Sequence, residues 1–142
     1  VQTLLKRREK IGRHWFSKIN PLDYFNIEDD QNGMKIGFKD LAVTYDLEPD
    51  NALYRHQIKY KGKKVLSNRE FSANSFILSN NDLSQMSGRY NERSDNSAED
   101  HLFEIRLQTK RAGRGWSKPT LLWLWYFPEQ DHFQLVGIEH LD

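Results

Sequence analysis

The residues best suited to acid–base or metal chemistry are five histidines, His14, His56, His101, His132 and His140, and a scatter of carboxylates. No pair of histidines has the His-x-x-x-His spacing that places two ligands on one helical face, and the one Glu-x-x-His, Glu129 to His132, falls in an expected hairpin turn rather than on a helix. His56 stands out because Tyr54, Ile58 and Tyr60 share its face at period two. A half-buried imidazole beside tyrosines can serve as a general base, although a satisfied structural histidine is the commoner outcome. An enzymatic or small-molecule pocket built on it would be lined by Tyr45, His56, Tyr60 and Trp125. Glu104 and Glu139 fall on expected strands, where two carboxylates could flank a glycosidic bond. Solvent-facing strand residues have the same pattern.

Glu28-Asp29-Asp30-Gln31-Asn32-Gly33 places Gly at the sixth position of a calcium-loop frame, but the twelfth is Lys39, a cation where the bidentate carboxylate belongs. A tight turn at Asn32-Gly33 accounts for the same residues. There is no Gly-x-Ser-x-Gly elbow and no phosphate-binding loop, and Gly113-Arg114-Gly115 is too short for a dinucleotide fingerprint. The sequence therefore assigns no catalytic residue, metal ligand or cofactor, and it leans away from an enzyme.

Composition narrows the classes further. With 21 Lys and Arg against 20 Asp and Glu, a net charge of +1 gives no bulk attraction to polyanions. The absence of cysteine removes disulfides, thiolate metal sites and cysteine nucleophiles. Four Trp, six Tyr and eight Phe must supply much of the core, at roughly 150–250 Å² buried per ring. No run approaches the roughly 20 apolar residues of a membrane span. A start at Val1 rather than Met fits an exported or membrane-anchored protein whose upstream segment is missing from the sequence, as well as other compartments.

Charge is segregated along the chain. Residues 1–20 carry Lys6, Arg7, Arg8, Lys10, Arg13 and Lys18 against Glu9, whereas residues 21–54 are rich in acids. Basic residues return over 55–69 and 110–118, the latter interleaved with Gly and Trp116. Such clusters can hold phosphates and stack bases, which makes nucleic acid or an anionic surface one candidate partner. The favoured expectation is a non-catalytic binding module for another protein. Its surface would be formed by Arg89, Tyr90, Arg93, Arg111, Arg114 and Trp116, because loops with arginine and aromatic residues are what recognition surfaces use.

These residues must be held by a small set of elements in one domain spanning 1–142. Within residues 1–20, apolar Leu4, Leu5, Ile11, Trp15, Phe16 and Ile19 predict an amphipathic helix over 4–19, ended by Asn20-Pro21. Period-two alternation predicts strands within 34–78, with a parity switch at Lys39-Asp40 that calls for a bulge or break before Leu41–Tyr45. Residues 79–100 have little to bury beyond one possible helical turn at 82–86, and predict a mobile polar loop. Residues 101–141 predict strands ending in a hairpin, Leu121–Phe127 with Phe133–Ile138. Trp123, Trp125 and Phe127 alternate there with Leu122, Leu124 and Tyr126, so this strand should be central. The fold class expected is α+β: one N-terminal helix packed on a curved antiparallel sheet of five to seven strands. That layout is similar, in arrangement only, to cystatin-like and nuclear-transport-factor-like (NTF2-like) cones.

Overall fold

The computed structural model describes residues 20–93 and 97–141. The helix expected over residues 4–19 lies outside these residues. Among those described, eight strands form two antiparallel sheets rather than one. The first has the order β1-β2-β5, from β1 (Leu22–Asp30), β2 (Gly33–Asp40) and β5 (Ser75–Ser79). The second has the order β4-β3-β6-β7-β8, from β3 (Leu53–Tyr60), β4 (Lys63–Phe71), β6 (Leu102–Lys110), β7 (Thr120–Phe127) and β8 (His132–His140).

The expectation of a single curved sheet under a helical lid is thus overturned, because a second sheet covers the first. Rings join the two layers. Phe38 of β2 meets Tyr54 of β3 edge-on at 5.1 Å, and Phe76 of β5 stacks on His56 at 4.3 Å. Sheets packed face to face bury alternate residues from both inner faces. Met34, Ile36, Phe38, Phe76 and Leu78 accordingly share one buried cluster with Tyr54, Ile58, Phe103, Ile105 and Leu122.

Local chemistry explains where the chain changes sheet. The parity switch is a strand break: β2 ends at Asp40, whose side chain accepts the Ala42 N–H at 3.2 Å and caps a one-turn helix α1 (Leu41–Thr44). The strand expected over Leu41–Tyr45 is therefore a helical turn. Lys61 and Gly62 both have positive φ (51° and 76°), the two-residue turn that fits the twist of a hairpin. Gly33 follows the β1–β2 turn at φ 142°, and a Cβ there would lie 2.0 Å from the Leu78 carbonyl oxygen of β5. Only glycine lets those two backbones approach so closely.

The expected mobile loop 79–100 is also corrected. Helix α2 (Asn80–Arg93) occupies most of it, followed by a 3₁₀ turn at Ala98–His101. Ser79 and Asp82 cap α2 reciprocally: the Asp82 N–H donates to Ser79 Oγ at 3.1 Å, and the Ser79 N–H to Asp82 Oδ2 at 2.9 Å. Leu83, Met86 and Tyr90, at helical spacing, turn a narrow apolar stripe to the core. Arg69 of β4 grips Asp82 through two hydrogen bonds of 2.7 and 2.8 Å, tying the helix to the edge of the larger sheet.

The tryptophan-rich segment behaves as expected. β7 is an inner strand with Leu122, Leu124 and Tyr126 buried and Trp123, Trp125 and Phe127 half-buried on the opposite, outer face.

Candidate functional site

The residues named for a pocket around His56 do not converge. His56 and Tyr60 face the interior between the sheets, Trp125 lies on the outer face, and Tyr45 is 60% exposed beyond α1. The cone mouth those residues would line is filled by side chains. His56 is 3% exposed, its ring stacks on Phe76, and its Nδ1 is buried without a hydrogen-bond partner. Burial, with the Arg69 charge nearby, lowers its pKa to about 4 despite the opposing Asp82 carboxylate. A neutral, sealed imidazole has no route to a substrate proton.

The residues named for a recognition surface also separate. Tyr90 is buried, its ring 5.1 Å from Tyr126 and 5.2 Å from His101. Arg111 reaches inward: its Nη2 donates to Asp40 Oδ1 at 2.8 Å, and Tyr54 donates to Asp40 Oδ2, also at 2.8 Å. Burial and that carboxylate raise the Tyr54 pKa. Arg114 pairs with Glu48 at 2.7 Å, and the Arg55 guanidinium lies 4.2 Å from the centre of the Trp116 ring. Arg89 is half-buried on α2, and the side chain of Arg93 lies outside the described residues. Trp116 and Arg114 are thus on the loop 111–119, while Arg89 and Tyr90 belong to the helix on the far side of the core.

Part of the basic clusters is held within the chain: Lys61, Arg69, Arg111 and Arg114 pair with Asp100, Asp82, Asp40 and Glu48 respectively. Arg106, which lies between the clusters in sequence, pairs with Glu104. Among the described residues, no group of three or more His, Asp and Glu is arranged to hold a metal ion. No described helix is long and apolar enough to cross a membrane.

What the structure does bring together is a row across the outer face of the larger sheet. Lys59 of β3 pairs with Glu104 of β6, Glu104 with Trp123 of β7, and Trp123 with Gly137 of β8. Strand alternation points all of them away from the core. An open cleft of ≈ 560 Å³ lies over this row, walled by Lys61, Gly62, Asp100 and Leu102. That volume is within the roughly 300–1,000 Å³ of small-ligand clefts. Lys61 and Asp100 form an ion pair on its rim.

The tryptophans differ in what they can still touch. One face of Trp125 is taken by His101, stacked at 4.8 Å and 5° from parallel, while Trp116 is taken by Arg55. Trp123 has neither a ring nor a cation partner among the described residues, and the neighbouring Gly137 brings no side chain against its far flank. The sequence pattern put Trp123 on one face with Trp125 and Phe127 but assigned it no role. The missing signal was its cross-strand row, which depends on pairing register. No family model matches the chain, and neither a curated protein nor a solved structure does.

Proposed function

We propose that this chain is a non-catalytic binding module whose working surface is the outer face of the five-stranded sheet, centred on Trp123. One observation carries the reading: a half-exposed indole with no ring partner among the described residues forms part of an open cleft of ≈ 560 Å³, flanked by Lys59 and Glu104. Clefts that combine an apolar surface with a few fixed polar groups are where ligands are held. The sheet beneath is braced by the two-layer core, so the row is presented by rigid strands rather than by a loop. An enzymatic reading has less support, since the imidazole best placed by sequence is sealed in the core.

The test is an NMR screen of a chemically diverse fragment library on isotope-labelled protein. The expected result is that hits shift the backbone signals of Lys59, Glu104 and Trp123 and compete with one another. Hits gathered around Arg111 or α2, with the Trp123 row unmoved, would overturn the assignment of this face.

A further inference from the structure

We infer that the cleft over Trp123 takes a neutral, hydroxyl-rich chain, namely an oligosaccharide; this deepens the binding-module reading and rests on it. The argument starts from charge. Two lysines, Lys59 and Lys61, and three carboxylates, Glu99, Asp100 and Glu104, line the cleft. A phosphate or sulfate ester would have to approach the three carboxylates, and a cationic ligand the two lysines. A wholly apolar ligand would strip water from Lys59, Glu99 and Glu104 without returning hydrogen bonds. A neutral polar ligand avoids each of these costs.

Hydroxyl groups fit the lining in a further way. Each hydroxyl both donates and accepts, so it can accept from an ammonium and donate to a carboxylate. Lys59 and Glu104 stand side by side as cross-strand partners and supply those two roles next to one another. Glu104 Oε1 accepts from Arg106 Nη1 at 3.0 Å, which holds the carboxylate in place while its other oxygen retains acceptor capacity. Hydrogen bonds with one charged member are stronger than neutral ones.

The indole supplies the remaining element. Its π face carries partial negative charge, and the C–H faces of a pyranose ring carry the complementary partial positive charge in weak C–H···π contacts. Of the three described tryptophans, Trp123 is the one with no ring or cation partner among the described residues. Trp125, two residues on along the same face and thus about 7 Å away, offers the ring side opposite His101. Trp125 stands beside the cleft rather than in its lining, and two indoles in line on one sheet face suit an extended chain of sugar units rather than a single ring.

The experiment titrates cellohexaose, maltohexaose and the hexamer of N-acetylglucosamine separately onto the intact 142-residue chain, following the indole N–H signals. At least one hexamer should shift the Trp123 signal, and Trp123→Ala should weaken its binding by about tenfold or more. Trp123→Phe should retain part of the affinity, Glu104→Gln should weaken it with the fold intact, and Trp116→Ala should leave it unchanged. A sulfated hexasaccharide should bind more weakly than its neutral parent. Should Trp123→Ala fail to fold by circular dichroism, the Trp123→Phe and Glu104→Gln pair decides. The inference is overturned if no neutral hexamer moves the Trp123 signal at about 10 mM, a concentration that detects even millimolar affinity. It is also overturned if the binding ignores these substitutions. If library fragments occupy the cleft while all three hexamers leave it untouched, the ligand class is wrong and the binding face stands. If peptides from a displayed library bind there instead, the ligand class likewise fails. If neither fragments nor hexamers move the row, both readings fall.

Discussion

Held neutral between Phe76 and the Arg69–Asp82 pair, His56 makes stability depend on acidity. Its folded pKa of about 4 lies below the unfolded value of 6.5, so the unfolded chain binds more protons between these limits. Stability is therefore full above pH 6.5 and declines as pH falls toward 4. Urea unfolding at pH 7.5 and 4.5 should differ by about 2–3 kcal/mol from this group, and His56→Leu should remove most of that difference. Asp82 acts in the same direction. Burial alone would raise its pKa, but the bonds from Arg69 and Ser79 hold it below the usual carboxylate value, and that contribution fades as the carboxylate protonates. Period two correctly assigned His56 to an inward face. It could not show whether that face encloses a pocket or a second layer, because the stacked ring comes from Phe76, twenty positions away in another sheet. Arg111 was misread for a related reason. A loop arginine looks like a surface donor until Asp40, seventy-one positions earlier, is found against it.

Adjacent residues of β7 show how one element serves two environments. Leu122 is fully buried between the layers, whereas its neighbour Trp123 is half-exposed. Leu122→Ala should cost about 2–5 kcal/mol in chemical unfolding, and Trp123→Ala clearly less, even though it removes more atoms. A result in the reverse order would mean that the outer face is itself a core. Gly33→Ala makes a sharper case. With φ at 142° and the Leu78 carbonyl 2.0 Å from the new methyl carbon, β2 and β5 must part or the turn must rebuild. The expected loss exceeds about 2 kcal/mol, and it should appear in hydrogen exchange as lost protection along β5. Legibility varies between elements for physical reasons. β3, β6 and β7 keep their alternation and were readable, and β8 was legible as the second apolar run of a hairpin. β1 was missed because a register shift between Asp23 and Asn26, with Tyr24 at φ 54°, breaks its apolar period. Helix α2 was read as a loop because its stripe is only three residues wide, although the Ser79-x-x-Asp82 cap stood in the sequence as a start signal.

At the scale of the molecule, chain order misled where neighbouring elements do not pair. β2 takes β5 as its partner across two intervening strands, and the chain crosses between layers after β2, after β4 and again after β5. Alternation records which residues face inward but is blind to which layer they face, so one sheet and two look alike in sequence. The two layers leave β8 last in its sheet, with Val136 and Ile138 53% and 40% exposed. Its ladder skips a residue: Trp123 pairs with Gly137 and Leu124 with Leu135, leaving Val136 unmatched. A protruding residue of this kind bends a strand and spoils it as a template for another chain. Removing Val136 would let Leu135 and Gly137 follow one another in register and give a straight, uninterrupted border. Sedimentation velocity on that deletion should reveal concentration-dependent self-association that the parent lacks. The extra valine would then be the guard that keeps neighbouring copies from zipping together into fibrils.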